Sequence, residues 1–340
     1  MSIVGGLDVH RQQITFDYVD TDTGLVRRGR LAPADRTSLR EWLAVFRGLD
    51  AEFAVEGCTG WRFIAEECAR AGVRIHVADP GDAAAARGRK RHAKTDQLDA
   101  RHLRQLLAQG RLPTSWIPPE QVLEVRARVR LYKDLQDERG GWLQRVRATC
   151  FHQGLPARRA LFTPEGRAWL ETTGGLSDAG RQAVTVALRQ LDRLDDELAE
   201  LRRDLVAYAR RQPGCKALWT QLYGVGGLTS VMIWAELGDT RRFSSSRHAV
   251  RHTGLDITVS ASDGKRARGH LARQGPPLLR WALFEAAKSA AKRTSPDHDY
   301  YTALAARAGA NRATLAVARK LVRRAHHLLR ELGDQAFAAA

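Results

Sequence analysis

The chain has 340 residues, with 55 Lys+Arg against 38 Asp+Glu and a formal charge of +17. At 44% hydrophobic and 27% charged it can bury a sizeable core, which excludes a disordered tail, and its length predicts two or three domains. No run of about 18 apolar residues exists, which excludes a transmembrane helix. The start, Met1-Ser2-Ile3-Val4-Gly5-Gly6, lacks the basic region and apolar run of a secretory signal. The cysteines Cys58, Cys68, Cys150 and Cys215 form no Cys-x-x-Cys pair, so they read as reduced thiols of a cytoplasmic protein rather than as disulfides or a zinc site. The positive excess points to a polyanionic partner, with nucleic acid first; a generally basic surface is the plain alternative.

The charge is graded. Residues 1–80 carry a net −2, residues 81–240 a net +7 and residues 241–340 a net +12. A separate basic run, Arg87, Arg89, Lys90, Arg91 and Lys94, directly precedes Asp96 and Asp99, where it could guide a phosphate.

In chain order, residues 3–9, 14–19 and 24–31 read as a three-stranded meander. Leu39, Trp42, Leu43 and Phe46 give helical spacing over 36–48. A strand follows over 53–56, then a helix over 61–71 with Phe63, Ile64 and Cys68, then a strand over 73–77. This order predicts a mixed α/β sheet. Leu98, Leu103, Leu106 and Leu107 predict a helix from Asp96 onward.

The Pro-rich stretch 112–119 breaks the pattern. Residues 120–150 and 180–210 then read as two long helices with apolar residues near heptad spacing. Val122, Val125, Val129, Tyr132, Leu135, Leu143 and Val146 mark the first, and Val184, Leu188, Leu191, Leu194, Leu198, Leu201 and Leu205 the second. Together they suggest an antiparallel coiled-coil arm and a dimerisation element, or else an ordinary helical bundle. The predicted divisions are 1–112, 113–212 and 213–340.

Four acids stand where catalysis would use them. Asp8 ends an apolar first strand, where a carboxylate is costly unless paired or metal-bound. Glu56 ends a later strand. Asp96 and Asp99, three apart, share one helix face behind Thr95, a natural N-cap. First-turn acids are also ordinary helix-dipole chemistry, but two strand-end acids beside a helical pair suit one or two Mg²⁺ ions, with Mn²⁺ as the alternative. The order of strands and acids resembles an RNase H-like nuclease domain of the Holliday-junction-resolvase (RuvC-like) type.

Further on, Leu222-Tyr-Gly-Val-Gly-Gly-Leu-Thr-Ser230 follows a helix-hairpin-helix pattern, in which Gly224 and Gly226 flank a turn that opens a helix N-terminus toward phosphate. Ser260-Ala-Ser262-Asp-Gly-Lys265-Arg266-Ala-Arg268 places serines in a turn among cations, with Arg273 following. A serine hydroxyl can attack phosphorus where cations stabilise the developing charge, although serine in such a loop is most often a turn former.

Gly6-Leu7-Asp8-Val9-His10, Glu56-Gly57, Lys94-Thr95-Asp96-Gln97-Leu98-Asp99-Ala100, Gly224-Val225-Gly226 and the turn near Ser262 occur in this order. So arranged, they resemble the DEDD transposases of insertion sequences whose members act as bridge-RNA-guided recombinases. The resemblance covers nearly the full chain, and the Lys-Thr-Asp-x-x-Asp-Ala string is its most specific element. It implies an α/β RuvC-like N-terminal domain, a coiled-coil middle and a mainly helical C-terminal transposase domain. It also implies a metal-binding tetrad of Asp8, Glu56, Asp96 and Asp99, with Ser262 as nucleophile and Ser260 as the fallback. Implied partners are donor and target double-stranded DNA, a structured guide RNA and further copies of the chain as a dimer or tetramer. The chain departs from the family at Ser260-Ala261-Ser262-Asp263-Gly264-Lys265, where Ser-Ser-Gly-Gly-Lys or Ser-Gly is usual, and at Ala272 and Pro276, where hydroxyl and polar residues are usual.

Overall fold

The computed structural model describes residues 2–88, 95–258 and 269–338, with the backbone of 261–262 and 265–266. The chain forms two compact units, Met1–Ile117 and Pro118–Ala340.

The first unit begins with β1 (Ser2–Val9), β2 (Ile14–Asp20) and β3 (Val26–Leu31), followed by α1 (Arg36–Leu43) and a short 3-10 turn at Ala44–Phe46. Then come β4 (Asp50–Glu56), α2 (Trp61–Ala71), β5 (Arg74–Ala78), α3 (Pro80–Ala86), α4 (Asp96–Ala108) and β6 (Thr114–Ser115). The sheet order is β3-β2-β1-β4-β5-β6. The first three strands are an antiparallel meander, β4 and β5 run parallel to β1, and β6 closes the edge antiparallel to β5. The meander and the mixed directions match the expectation. Helix α3 and strand β6 lie in stretches that carried no periodic apolar signal.

Successive strand residues point to opposite faces. One face, with Ile3, Leu7, Phe53 and Val55, packs on Leu39 and Leu43 of α1 and on Ile64 and Cys68 of α2. The other face packs Ala54 and Ala78 on Ala83 of α3 and on Leu103 and Leu106 of α4.

The second unit opens with α5 (Glu120–His152), then α6 (Pro164–Thr172) and α7 (Asp178–Arg211). α5 and α7, of 33 and 34 residues, pack against each other, each ~50 Å long at 1.5 Å per residue. Val184, Leu188, Leu191, Leu194, Leu198 and Leu205 are buried along α7, whereas Leu201 is only half-buried. Arg139 of α5 reaches the Asp195 carboxylate of α7. The chain continues through α8 (Pro213–Gln221), α9 (Gly227–Leu237) and α10 (Ser246–His252). A hairpin of β7 (Ala261–Ser262) and β8 (Lys265–Arg266) precedes α11 (Pro277–Ala287), α12 (His298–Ala308) and α13 (Ala310–Leu332). Helix α9 is buried from Ser230 to Leu237, as an apolar helix at a bundle centre must be. Pro213 starts α8 rather than merely ending α7: at the first helical position its missing N–H has no partner to lose. The expected division at 212 thus falls at the α7–α8 junction, inside the second unit.

Candidate active site

Gly6 lies on β1, and a Cβ there would come within 2.1 Å of the Ala100 carbonyl oxygen of α4. Only glycine lets the helix backbone settle this closely on the strand. Its neighbour two residues on, Asp8, therefore also lies on the α4 face. Asp17 of β2 is fully buried and clamps the same helix. It accepts from Arg104 Nε at 2.5 Å and from Arg28 Nε at 2.9 Å. The Thr95 hydroxyl accepts from the Leu98 backbone N–H, which sets Asp96 at the first position of α4 as the cap predicted.

Register places the second strand acid. Leu7 of β1 pairs with Val55 of β4 in parallel, so Asp8 and Glu56 follow at the C-terminal ends of adjacent strands. Since Ala54 packs toward α4, Glu56, two residues further, lies on that face as well.

The tightest convergence includes a residue not assigned a role from sequence. Ligand atoms of Asp8, His10 and Asp96 all lie within 4.8 Å of one another. His10 Nε2 is 3.1 Å from Asp8 Oδ2 and 3.3 Å from Asp96 Oδ1. Gln13, from the β1–β2 turn, donates to the other Asp96 oxygen at 3.0 Å. The signal for His10 was local: it stands two residues beyond Asp8, on the same side of an extended chain. Burial pushes the Asp8 carboxyl above its ordinary range; His10 opposes this, while Asp99 and Asp96 add to it. A carboxylate held up in this way by burial and by like charges is short of positive charge. Oxygen donors with one imidazole fit a divalent cation.

Glu56 and Asp99 lie outside the 4.8 Å group. Asp99 accepts from Arg87 Nη1 at 2.5 Å, so this arginine, expected to guide phosphate, is paired with one of the four predicted acids in the structure. Arg89, Lys90, Arg91 and Lys94 lie outside the described residues.

In the second unit the predicted glycine turn joins α8 to α9. Gly224 has φ +85°, and a Cβ there would meet Ser289 Oγ at 2.0 Å and the Ala286 carbonyl oxygen at 2.5 Å. Gly226 caps α9 at φ −91°, and a Cβ there would meet nothing within 4 Å. One glycine is required by packing; the other leaves the helix N-terminus open. Ser262 pairs through its backbone with Lys265, and Ala261 with Arg266. The base of this ribbon is fixed by Thr258 N–H to the His270 carbonyl at 2.8 Å and Ala272 N–H to the Asp256 carbonyl at 3.0 Å. Ser260 and Arg268 lie outside the described residues. Arg273 is exposed and takes the left-handed φ of 58°, which costs a non-glycine residue about 1 kcal/mol, while its N–H bonds to the Gly254 carbonyl.

Two family profiles match the chain. The DEDD transposase profile of the IS110 group covers residues 5–150, and that of the transposase IS116/IS110/IS902 family covers 216–302. The chain belongs to the IS110-type DEDD transposases. Such proteins are enzymes that act on DNA. The "Probable family 20 transposase" of Pseudomonas aeruginosa is 25% identical over 335 residues, 94% of each chain. The "Transposase for insertion sequence element IS1111A" of Coxiella burnetii is 26% identical over 150 residues, 43% of this chain and 41% of that protein. The N-terminal profile contains all four predicted acids and His10, and the C-terminal one contains the glycine turn and Ser262. No described helix is long and apolar enough to cross a membrane.

Proposed function

We propose that this transposase cuts, exchanges and rejoins DNA strands of an insertion sequence through a serine nucleophile and a metal-binding acidic site, guided by a structured RNA. The observation that carries the reading is the convergence of Asp8 and Asp96 from distant segments, beside the strand-end Glu56. The strand order supports an RNase H-like assignment of the first unit. Asp8, Glu56, Asp96 and Asp99 are the residues that would hold Mg²⁺, with Mn²⁺ as the alternative ion. When bound, such an ion neutralises charge on the scissile phosphate and the leaving oxygen.

The chain's own groups then act as follows. Ser262 Oγ loses its proton to a base and attacks phosphorus, and the strand's P–O bond breaks to leave a free hydroxyl and a phosphoserine link. The hydroxyl of the exchanged strand attacks that link and returns the proton to serine. The exposed Arg273, the basic residues that the sequence places in the ribbon and the open N-terminus at Gly226 track the backbone, while base pairing to the guide RNA supplies sequence choice. The family resemblance supports a composite site, with one subunit's acids facing another's serine within a dimer or tetramer.

A denaturing gel after incubation with Mg²⁺ and the element's end DNA tests this reading. Wild type should give a protein–DNA adduct that Ser262→Ala and Asp8→Ala both abolish. Cleavage by Ser262→Ala without an adduct would instead make the enzyme a hydrolytic resolvase with water as nucleophile. An adduct that survives Ser262→Ala and is lost in Ser260→Ala would move the nucleophile two residues.

A further inference from the structure

On the sheet face opposite the acids, α1 and α2 enclose a cleft of about 230 Å³. It is lined by Arg40, Arg47 and Arg70 around the Glu67 carboxylate, with Ala44 and Ala71 among its walls. The Glu67 side chain is fully buried and organises three guanidiniums. It accepts from Arg40 Nε at 2.6 Å, from Arg36 Nη1 at 2.6 Å and from Arg70 Nη1 at 2.5 Å. These arginines remain substantially exposed, at 42%, 56% and 60% for Arg36, Arg40 and Arg70. Each presents five N–H donors and uses only part of them inward, so donors are left facing solvent. Arg47 makes no carboxylate contact among the described residues and is exposed. The result is a concave, rigid set of guanidiniums in a segment whose net charge is −2.

We propose that this cleft binds a backbone phosphate of a nucleic acid. Arg36 is shared with the Glu66 carboxylate, so Glu67 alone faces Arg40, Arg47 and Arg70 in the cleft and cannot neutralise all three, and planar guanidiniums held in place match phosphate oxygens with little further loss of freedom. The cleft lies at the C-terminal ends of α1 and α2, which lead into the N-terminal ends of β4 and β5. The acids lie at the opposite ends of the strands, across a seven-residue β4 that spans ~20 Å. The phosphate taken here is therefore not the scissile one, but belongs to a second stretch of backbone carried on the far face of the same unit.

The test uses the full chain in EDTA, so binding is read apart from metal chemistry and stands whether or not the proposed strand-exchange reading holds. Labelled duplex DNA and a labelled RNA hairpin are the two probes, followed by anisotropy over a salt series. Arg47 is exposed and its side chain has no ion pair among the described residues, so Arg47→Ala should fold normally. It should weaken binding about three- to tenfold and lower the salt slope by about one. Ala44→Glu, which puts a carboxylate in the cleft without removing an arginine, should do the same. Val45→Glu makes the same charge change one residue away, outside the cleft, and should have much less effect. Loss on the hairpin alone identifies RNA as the occupant, and loss on the duplex alone identifies DNA. Unchanged binding of both probes, or equal losses in Ala44→Glu and Val45→Glu, would overturn the site and leave the arginines as a structural ion network.

Discussion

The absent side chain of Gly6 is filled by the backbone of Ala100, whose carbonyl oxygen lies 2.1 Å from where a Cβ would stand. With the Asp17–Arg104 pair, this contact seats α4 on β1 beside Asp8. Gly6→Ala should therefore push the helix off the sheet, at a cost of at least about 2 kcal/mol. Thermal melting should show the loss. Cleavage should fall further than stability does, since Asp96 and Asp99 move with the helix.

His10 favours the ionised form of Asp8, against burial and the two neighbouring acids. Removing it should raise the Asp8 carboxyl further above its ordinary range. Metal binding needs the carboxylate, so His10→Ala should shift the acid limb of Mn²⁺ binding toward higher pH, as titration calorimetry at several pH values would read. An unmoved limb would show that His10 does not act on Asp8.

Glu67 behaves in the opposite sense. The Arg40 guanidinium, then Arg36 and Arg70, hold its carboxyl down at about 2, against 4.5 for an ordinary glutamate. A group depressed in the folded state stabilises above its unfolded value and loses that contribution as pH falls through the folded one. The first unit should lose this stability between about pH 4.5 and pH 2. Glu67→Gln should cost about 1–3 kcal/mol at neutral pH and flatten the acid transition. Circular dichroism melts from neutral to acid pH would show both.

The two turn glycines should separate packing from binding. Gly224→Ala meets Ser289 and Ala286 in a left-handed conformation and should destabilise the second unit by about 1–3 kcal/mol. Gly226→Ala has open space and an ordinary φ, so it should fold as wild type. Its added methyl would obstruct the α9 N-terminus and should weaken duplex binding a few-fold in an anisotropy titration. Equal affinity would remove this turn from the nucleic-acid surface.

The sequence by itself determined the local elements and the faces they present. Alternation located the strands, Thr95 marked where α4 begins, and Asp8 and Glu56 read as acids at strand ends; the parallel register of β1 and β4 then set the two side by side. The long helices were legible because their apolar residues recur at helical spacing over 30 or more residues. Short elements without such recurrence, α3 and β6, were not. Only the tertiary structure decided the rest. His10 and Gln13 reach Asp96 across more than 80 residues of chain, and Arg87 turns inward to Asp99. The arginine cleft likewise joins residues from two helices around one buried acid, none of which carried a sequence signal of its own. Propensity and periodicity act between neighbours in the chain, whereas these sites are set by which backbone can approach which. That approach depended on a single missing side chain at Gly6.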